Sequence, residues 1–144
     1  MNIVHSKFFV TVYVIIRQGN DVLLLLRENT GFEDGNYCLV SGFLEKEETV
    51  TEAAVREARE EVGIDIHPNN LAIKAILHRN SNGGHIDFIF ECENWIGDPI
   101  NNEPGKCSEV NWFCLDKLPA NLIPFVRYIL MSRENMWFEE YGWI

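Results

Sequence analysis

The sequence predicts a mixed α/β fold in which strands and helices form layers, and three observations support this prediction. The chain has 144 residues, of which 47% are hydrophobic, and such a chain can bury one core. Apolar segments rich in β-branched residues alternate with turn residues, as is typical of strands. One long segment between them has helical periodicity, and another helical segment follows near the end. We therefore expect residues 1–144 to form a single layered domain.

The strand-like segments dominate the first part of the chain. Residues 8–16 and 21–27 are apolar, and the Gln18-Gly19-Asn20 turn between them predicts a β-hairpin. Residues 29–36 are rich in Gly, Asp and Asn and predict a loop. Residues 37–40 predict a short strand, which we expect to be broken by the Ser-Gly pair that follows.

The strongest helix prediction covers residues 49–62. Thr49 and Glu52 have the spacing of a capping box, which is typical of a helix N-terminus. Gly63 follows directly, at the position where a left-handed C-cap is expected.

The second half of the chain predicts three more strands and a helix. Residues 71–79 and 85–95 are expected to be antiparallel strands around a Ser-Asn-Gly-Gly turn. Residues 97–105 predict a loop, residues 110–115 a strand, and residues 122–131 a final helix.

The composition excludes several classes of function. Twelve basic against 22 acidic residues give a formal net charge of −10, so nonspecific binding to nucleic acid or to an anionic membrane is not expected. The longest apolar run, residues 8–16, is much shorter than the roughly 20 residues of a transmembrane helix. Because no cleavable signal sequence is recognisable, we expect a soluble, cytoplasmic protein.

The predicted central helix carries a cluster of carboxylates next to its apolar side. At about 100° per residue, Glu57, Glu60 and Glu61 fall within one arc beside the stripe that contains Ala54. A dication that prefers oxygen ligands, such as Mg²⁺, would relieve their mutual repulsion. The alternative is a solvated acidic face steadied by ion pairs from Arg56, and helix composition alone favours this alternative.

A longer pattern surrounds these carboxylates. From Gly42 the chain reads GFLEKEETVTEAAVREAREEVGI, which fits G-x5-E-x7-R-E-U-x-E-E-x-G-U, where U is bulky or aliphatic. The matching positions are Gly42, Glu48, Arg56, Glu57, Ala58, Glu60, Glu61, Gly63 and Ile64. This segment, residues 42–64, resembles the signature of Nudix hydrolases of the MutT-like type, and we refer to it as the Nudix box. Many relatives carry Pro-Gly-Gly at its start, where this chain has Val40-Ser41-Gly42.

The resemblance implies a Nudix-type α/β/α sandwich with a mixed central sheet. It also implies hydrolysis of a diphosphate linked to another group, with Mg²⁺ or alternatively Mn²⁺ as the cofactor. The residues implied as metal ligands are Ser41, through its backbone carbonyl, and the carboxylates of Glu57, Glu60, Glu61 and Glu103. Of these, Glu57, Glu61 and Glu103 are also implied to be catalytic. Structural roles are implied for Gly42, Glu48, Arg56 and Gly63.

Besides Ser41, which directly precedes the Nudix box, three candidate residues lie outside it. Glu103 follows a Gly-Asp-Pro sequence in a predicted loop, similar to a distant glutamate of MutT-type relatives, and Glu109 is its rival. Arg27 and Arg79 end apolar strands, where a guanidinium could bind a substrate phosphate. For Arg27 an exposed ion pair with a neighbouring carboxylate is an equal alternative, and Arg79 has the same ambiguity.

The leading functional hypothesis is hydrolysis of a nucleoside di- or triphosphate to the monophosphate. The expected partner is a small-molecule nucleotide, and neither a nucleic acid nor a membrane is expected to bind. Hydrolysis of a sugar nucleotide or another nucleoside-diphosphate conjugate ranks second. The resemblance implies a proline downstream of the box for hydrolysis of ADP-ribose and a tyrosine for diadenosine polyphosphates, but residues 64–87 contain no tyrosine and only Pro68, which is too close to the box. A noncatalytic nucleotide-binding domain is the alternative of another class. Aromatic residues near the C-terminus indicate either a homodimer contact or a docked tail.

Overall fold

The computed structural model describes residues 3–81, 83–132 and 134–143, and in this part the chain forms eight strands and two α-helices. The strands are β1 (Phe9–Gln18), β2 (Asp21–Arg27), β3 (Tyr37–Cys38), β4 (Val40–Phe43), β5 (Ala72–Arg79), β6 (His85–Cys92), β7 (Cys107–Cys114) and β8 (Trp137–Tyr141). The helices are α1 (Val50–Val62) and α2 (Pro124–Met131), and a short 3-10 turn spans Pro68–Asn70.

The strand β1 is the centre of a mixed sheet. It runs parallel to β6 and antiparallel to β4, and the order continues outward through β5 to β8. The β1–β2 hairpin carries the chain into a second part of the sheet, where β2 pairs with β3 and β7. The predicted antiparallel pairing of β5 with β6 is confirmed.

Two apolar clusters pack on opposite faces of this sheet. Alternating residues of β1 point to opposite faces, so Val12 and Val14 pack with the buried side of α1, whereas Tyr13 and Ile15 pack with α2. The predicted α/β/α arrangement with a mixed central sheet is therefore confirmed.

Local signals fix both ends of α1. The Thr49 hydroxyl accepts a hydrogen bond from the Glu52 amide at 3.1 Å, which satisfies one free N–H of the first turn. Gly63 ends the helix with φ 69°, and its N–H donates to the Arg59 carbonyl at 3.0 Å. This left-handed conformation is easily adopted by glycine.

The predicted break in the strand after residue 40 is wrong. The strand continues through Ser41 and Gly42, and the interruption lies at Leu39, between β3 and β4. The reason is a change of partner, because β3 pairs with β2 whereas β4 pairs with β1. Other bounds also differ from prediction: β1 extends to Gln18, β6 already ends at Cys92, and β7 begins at Cys107. Helix α2 begins at Pro124, whose missing N–H suits a first helical turn.

The aromatic C-terminal segment forms a strand where the sequence pattern predicts none. Trp137–Tyr141 pairs in parallel with β5, and Trp137 packs against the apolar cluster on the α2 side. The Trp143 indole N–H donates to the His78 carbonyl at 2.8 Å. This segment is thus a docked tail. None of the helices in the described residues is long and apolar enough to cross a membrane.

Candidate active site

A cavity of about 630 Å³ opens where α1 meets β1, β4 and two neighbouring loops. Its wall contains nine of the predicted site residues: Arg27, Ser41, Gly42, Arg56, Glu57, Glu60, Glu61, Arg79 and Glu103. The other two, Glu48 and Gly63, do not line it. The fold therefore brings residues from separate segments of the chain to one concave surface.

The central carboxylate of the cavity is Glu57, which is only 8% exposed. It is buried because the neighbouring alanines, Ala54 and Ala58, hold α1 close to the sheet. The close approach also requires a glycine opposite Glu57, since a Cβ at Gly42 would overlap the Glu57 carboxylate. The glycine of the Nudix box thus makes room for a catalytic candidate.

Glu57 and Glu61 lie one helical turn apart on α1, and both line the cavity. Burial raises the pKa of Glu57 despite the opposing effect of the Arg56 guanidinium. Burial, followed by the negative charge of Glu57, raises the pKa of Glu61 well above its ordinary value. The Ser41 amide N–H donates to both Glu61 oxygens at 3.3 Å and partly offsets this effect.

Arg56 connects the helix to the loop that precedes it. Its Nε and Nη2 donate to the two carboxylate oxygens of Glu48 at 3.0 and 2.7 Å, and Nη2 also donates to the Phe43 carbonyl at 3.1 Å. Its Nη1 donates to Glu57 at 2.8 Å and to Glu60 at 3.2 Å. One guanidinium therefore fixes the loop and orients Glu57.

The structure separates Glu103 from its rival Glu109. Glu103 is half-buried in the cavity wall, and its charge contributes, after burial and Glu57, to the raised pKa of Glu61. The Glu109 carboxylate instead accepts a hydrogen bond from the Tyr37 hydroxyl at 2.8 Å. Together with burial, this bond raises the pKa of Tyr37 to about 12. Only Glu103 of these two lines the cavity.

Arg27 organises the loop that borders the cavity. Its Nε donates to the Phe32 carbonyl at 2.7 Å and its Nη2 to the Thr30 hydroxyl at 3.0 Å. Within the described residues, Arg27 forms no ion pair with Glu28 or Asp34. Arg27 is part of the cavity wall. Its contact with a substrate phosphate stays a prediction.

Arg79 lies in a buried polar cluster in the same cavity wall. It is 2% exposed, and its Nε donates to Asp87 at 2.6 Å while Nη2 donates to the other Asp87 oxygen at 3.2 Å. The Thr11 hydroxyl donates to Asp87 as well, and the Tyr13 hydroxyl accepts from Nη2 at 3.5 Å. This cluster could have been found from the sequence, because an arginine and an aspartate occupy inward-facing positions of an apolar hairpin. Charged residues are rarely buried without a partner, so these two are expected to pair.

Three aromatic rings from different strands also form part of the wall. Phe9 lies 5.3 Å from Phe43 and 5.5 Å from His85 between ring centroids. Phe9 and Phe43 are more than half exposed, so their faces are available to a ligand. Phe43, Thr11 and Asp87 are not recognisable as site residues from the sequence, because only the pairing of distant strands brings them together.

The donor atoms of the site suit an oxygen-seeking dication, although the side chains are not preorganised for one. Carboxylates are the protein ligands that Mg²⁺ prefers, and Glu57, Glu60, Glu61 and Glu103 supply them along one wall. In residues 3–81, 83–132 and 134–143, no three His, Cys, Asp or Glu side chains already form an arrangement that could hold a metal ion. Arg56 instead engages Glu57 and Glu60.

Comparison with solved structures supports the fold assignment. The crystal structure of a MutT NUDIX hydrolase from Burkholderia pseudomallei superposes with a TM-score of 0.81 over 89% of this chain and 99% of that one, at 24% identity. A MutT protein from Methanosarcina mazei Go1 superposes with a TM-score of 0.73 over 88% of this chain and 93% of the other, also at 24% identity.

Sequence comparison extends this likeness to relatives with named activities. The chain is 31% identical over 113 residues to the NAD-capped RNA hydrolase NudC of Stutzerimonas stutzeri, a match that covers 76% of this chain and 38% of the relative. It is 34% identical over 111 residues to the ADP-ribose pyrophosphatase of Methanocaldococcus jannaschii, covering 76% of this chain and 64% of that protein. The match thus spans less than two thirds of either relative.

The NUDIX domain profile matches residues 7–132. With this profile covering most of the chain and the Nudix box glutamates gathered at one cavity, the chain belongs to the Nudix family.

Proposed function

We propose that this chain hydrolyses a phosphoanhydride bond of a nucleotide in the cavity beside α1, with the help of a divalent cation. The observation that carries the proposal is that Glu57, Glu60, Glu61 and Glu103 line the wall of one cavity. Carboxylates gathered at one site repel each other unless a proton or a cation lies between them. A substrate diphosphate, itself anionic, adds to this need for positive charge in a protein of net charge −10.

The residues that would hold the cation are Glu57, Glu60, Glu61, Glu103 and the backbone carbonyl of Ser41. When bound, Mg²⁺ or Mn²⁺ would activate water and stabilise the charge of the transferred phosphoryl group.

The side chains have distinct parts in this proposal. Glu57 lies in the cavity wall, where its carboxylate could accept a proton from the attacking water. Arg56 holds Glu57 in position through its 2.8 Å hydrogen bond. Arg27, in the wall of the same cavity, is a candidate for contact with a substrate phosphate.

Two substrate classes remain candidates. The sequence favours nucleoside di- and triphosphates, whereas the names of two relatives favour nucleoside-diphosphate conjugates, since ADP-ribose and an NAD cap both contain a diphosphate between two groups. The net charge of −10 disfavours extensive contact with an RNA chain, so we propose a small-molecule nucleotide.

A substrate screen tests this proposal. The purified protein is incubated with nucleoside di- and triphosphates, ADP-ribose, NAD⁺ and UDP-glucose, each with Mg²⁺, Mn²⁺ or EDTA. The products are separated by anion-exchange chromatography, which distinguishes phosphate, pyrophosphate, the nucleoside monophosphate and the phosphate monoesters that conjugates release. We expect turnover that requires the cation and that is lost in Glu57→Gln. Absence of turnover on every substrate with either cation would overturn the proposal.

A further inference from the structure

The buried cluster around Arg79 has an unused hydrogen-bond donor. Asp87 accepts from Nε and Nη2 of Arg79, and the guanidinium also lies over the Phe125 ring, 4.2 Å from its centroid. The remaining nitrogen, Nη1, is buried and has no hydrogen-bond partner in the part of the chain that the structure describes. Because buried polar groups are nearly always hydrogen-bonded in native proteins, this donor indicates a missing acceptor.

The position of Arg79 indicates where the acceptor comes from. Arg79, on β5, lines the same cavity as Glu57 and Glu61. Its side chain lies on the face of the sheet opposite to the face that packs against α1. Phe9 and Phe43 line this cavity, and more than half of each side chain is exposed. A planar heteroaromatic group that stacks on such rings could present its edge to a donor in the wall.

Building on the proposed function, we propose that Arg79 is a specificity-determining residue that recognises the nucleobase of the substrate. Its Nη1 donates a hydrogen bond to a carbonyl oxygen or ring nitrogen of the base, and Phe9 and Phe43 contact the face of the base. Asp87 and Thr11 position the guanidinium. This role replaces the phosphate contact that the sequence predicted for Arg79, because its ion pair with Asp87 already neutralises its charge.

Binding of nonhydrolysed ligands tests the proposal without requiring turnover. Calorimetry in Mg²⁺ buffer compares AMP, GMP, UMP and CMP with ribose 5-phosphate, which has no base. The test variant is Arg79→Lys, which keeps the charge opposite Asp87 but loses the planar fork. The matched control is Arg59→Lys, on the exposed side of α1, where Arg59 pairs with Asp65. The double variant Arg79→Gln/Asp87→Asn removes the ion pair without leaving a buried charge and provides a second test if the lysine variant does not fold.

We expect the wild-type protein to bind at least one of the four nucleotides more tightly than ribose 5-phosphate. Arg79→Lys should weaken that nucleotide about tenfold or more, as for a hydrogen bond from a charged donor, and should leave ribose 5-phosphate unchanged. Equal weakening of nucleotides and ribose 5-phosphate would show a phosphate contact and overturn the proposal, as would unchanged binding. If the wild-type protein binds none of the five ligands, or binds no nucleotide more tightly than ribose 5-phosphate, the proposal for Arg79 is overturned. The proposed function is judged separately, by turnover in the substrate screen.

Discussion

The backbone of Gly42 on β4 lies against the carboxylate of Glu57 on α1, so closely that any side chain at position 42 would overlap it. This contact joins the start of the Nudix box to its central glutamate. The conformation of Gly42 lies outside the left-handed region, so the requirement for glycine here comes from space alone.

Replacing Gly42 with alanine should therefore displace Glu57 and lower kcat by at least about tenfold, because misplacement of a catalytic group by an ångström is costly. Steady-state kinetics on the substrate found by the screen measures this loss. Gly105→Ala is the matched control for stability, since a Cβ there meets no atom within 4 Å. If Gly42→Ala keeps full activity, Glu57 does not need its observed position.

Glu57→Gln and Glu61→Gln should separate activity from stability. Each removes one of several negative charges gathered along the cavity wall, so we expect kcat to fall by orders of magnitude while the metal-free protein becomes no less stable. Urea unfolding in EDTA and steady-state kinetics measure the two effects. Glu52→Gln, an exposed position in the first turn of α1, is the control that should keep its activity. Unchanged turnover in either test variant would contradict their catalytic assignment.

The Glu48–Arg56 pair should give stability that depends on pH. The hydrogen bonds from Arg56 lower the pKa of Glu48 below its ordinary value of 4.5. Because the pKa of Glu48 is lower in the folded state than in the unfolded state, the pair stabilises the fold fully above pH 4.5. This contribution is lost as the pH falls through the lower pKa of the folded state. Glu48→Gln should thus cost about 1–2 kcal/mol at pH 7 and less at about pH 3.5. Urea unfolding in EDTA at both pH values checks this, and a cost that does not change with pH would contradict it.

Glu103→Gln and Glu109→Gln should have opposite effects. Glu103 lines the cavity, so its variant should lower kcat with little change in stability. Glu109 accepts a hydrogen bond from the Tyr37 hydroxyl, so its variant should lower stability by about 1 kcal/mol and keep its activity. Kinetics and thermal unfolding of the two proteins, measured side by side, distinguish them. A reversed result would assign the catalytic role to Glu109.

Strand β8 should contribute to stability through one face only. Trp137 packs against the core on the α2 side, whereas its neighbour Phe138 is 63% exposed. We expect Trp137→Ala to cost about 2–3 kcal/mol and Phe138→Ala less than about 0.5 kcal/mol, measured by urea unfolding. Equal costs would indicate that this strand does not dock as described.

The parts of the fold that depend on local signals could be predicted from the sequence. Helix α1 is an example, since Thr49 caps its start and Gly63 ends it. The helical spacing alone also predicts that Glu57, Glu60 and Glu61 lie together. Pairings between distant segments could not be predicted in this way. The parallel pairing of β1 with β6 places Thr11 beside Asp87, and 76 residues separate these two partners in the chain.

Strand β8 has a further consequence for the behaviour of the molecule in solution. It covers the outer edge of β5, whose backbone N–H and C=O groups would otherwise have no strand beside them on that side. Uncovered edges of this kind pair readily with other polypeptides. With β8 in place, the edge of the sheet on this side is a five-residue strand rather than the eight-residue β5, and a shorter edge leaves less backbone free to pair with another chain.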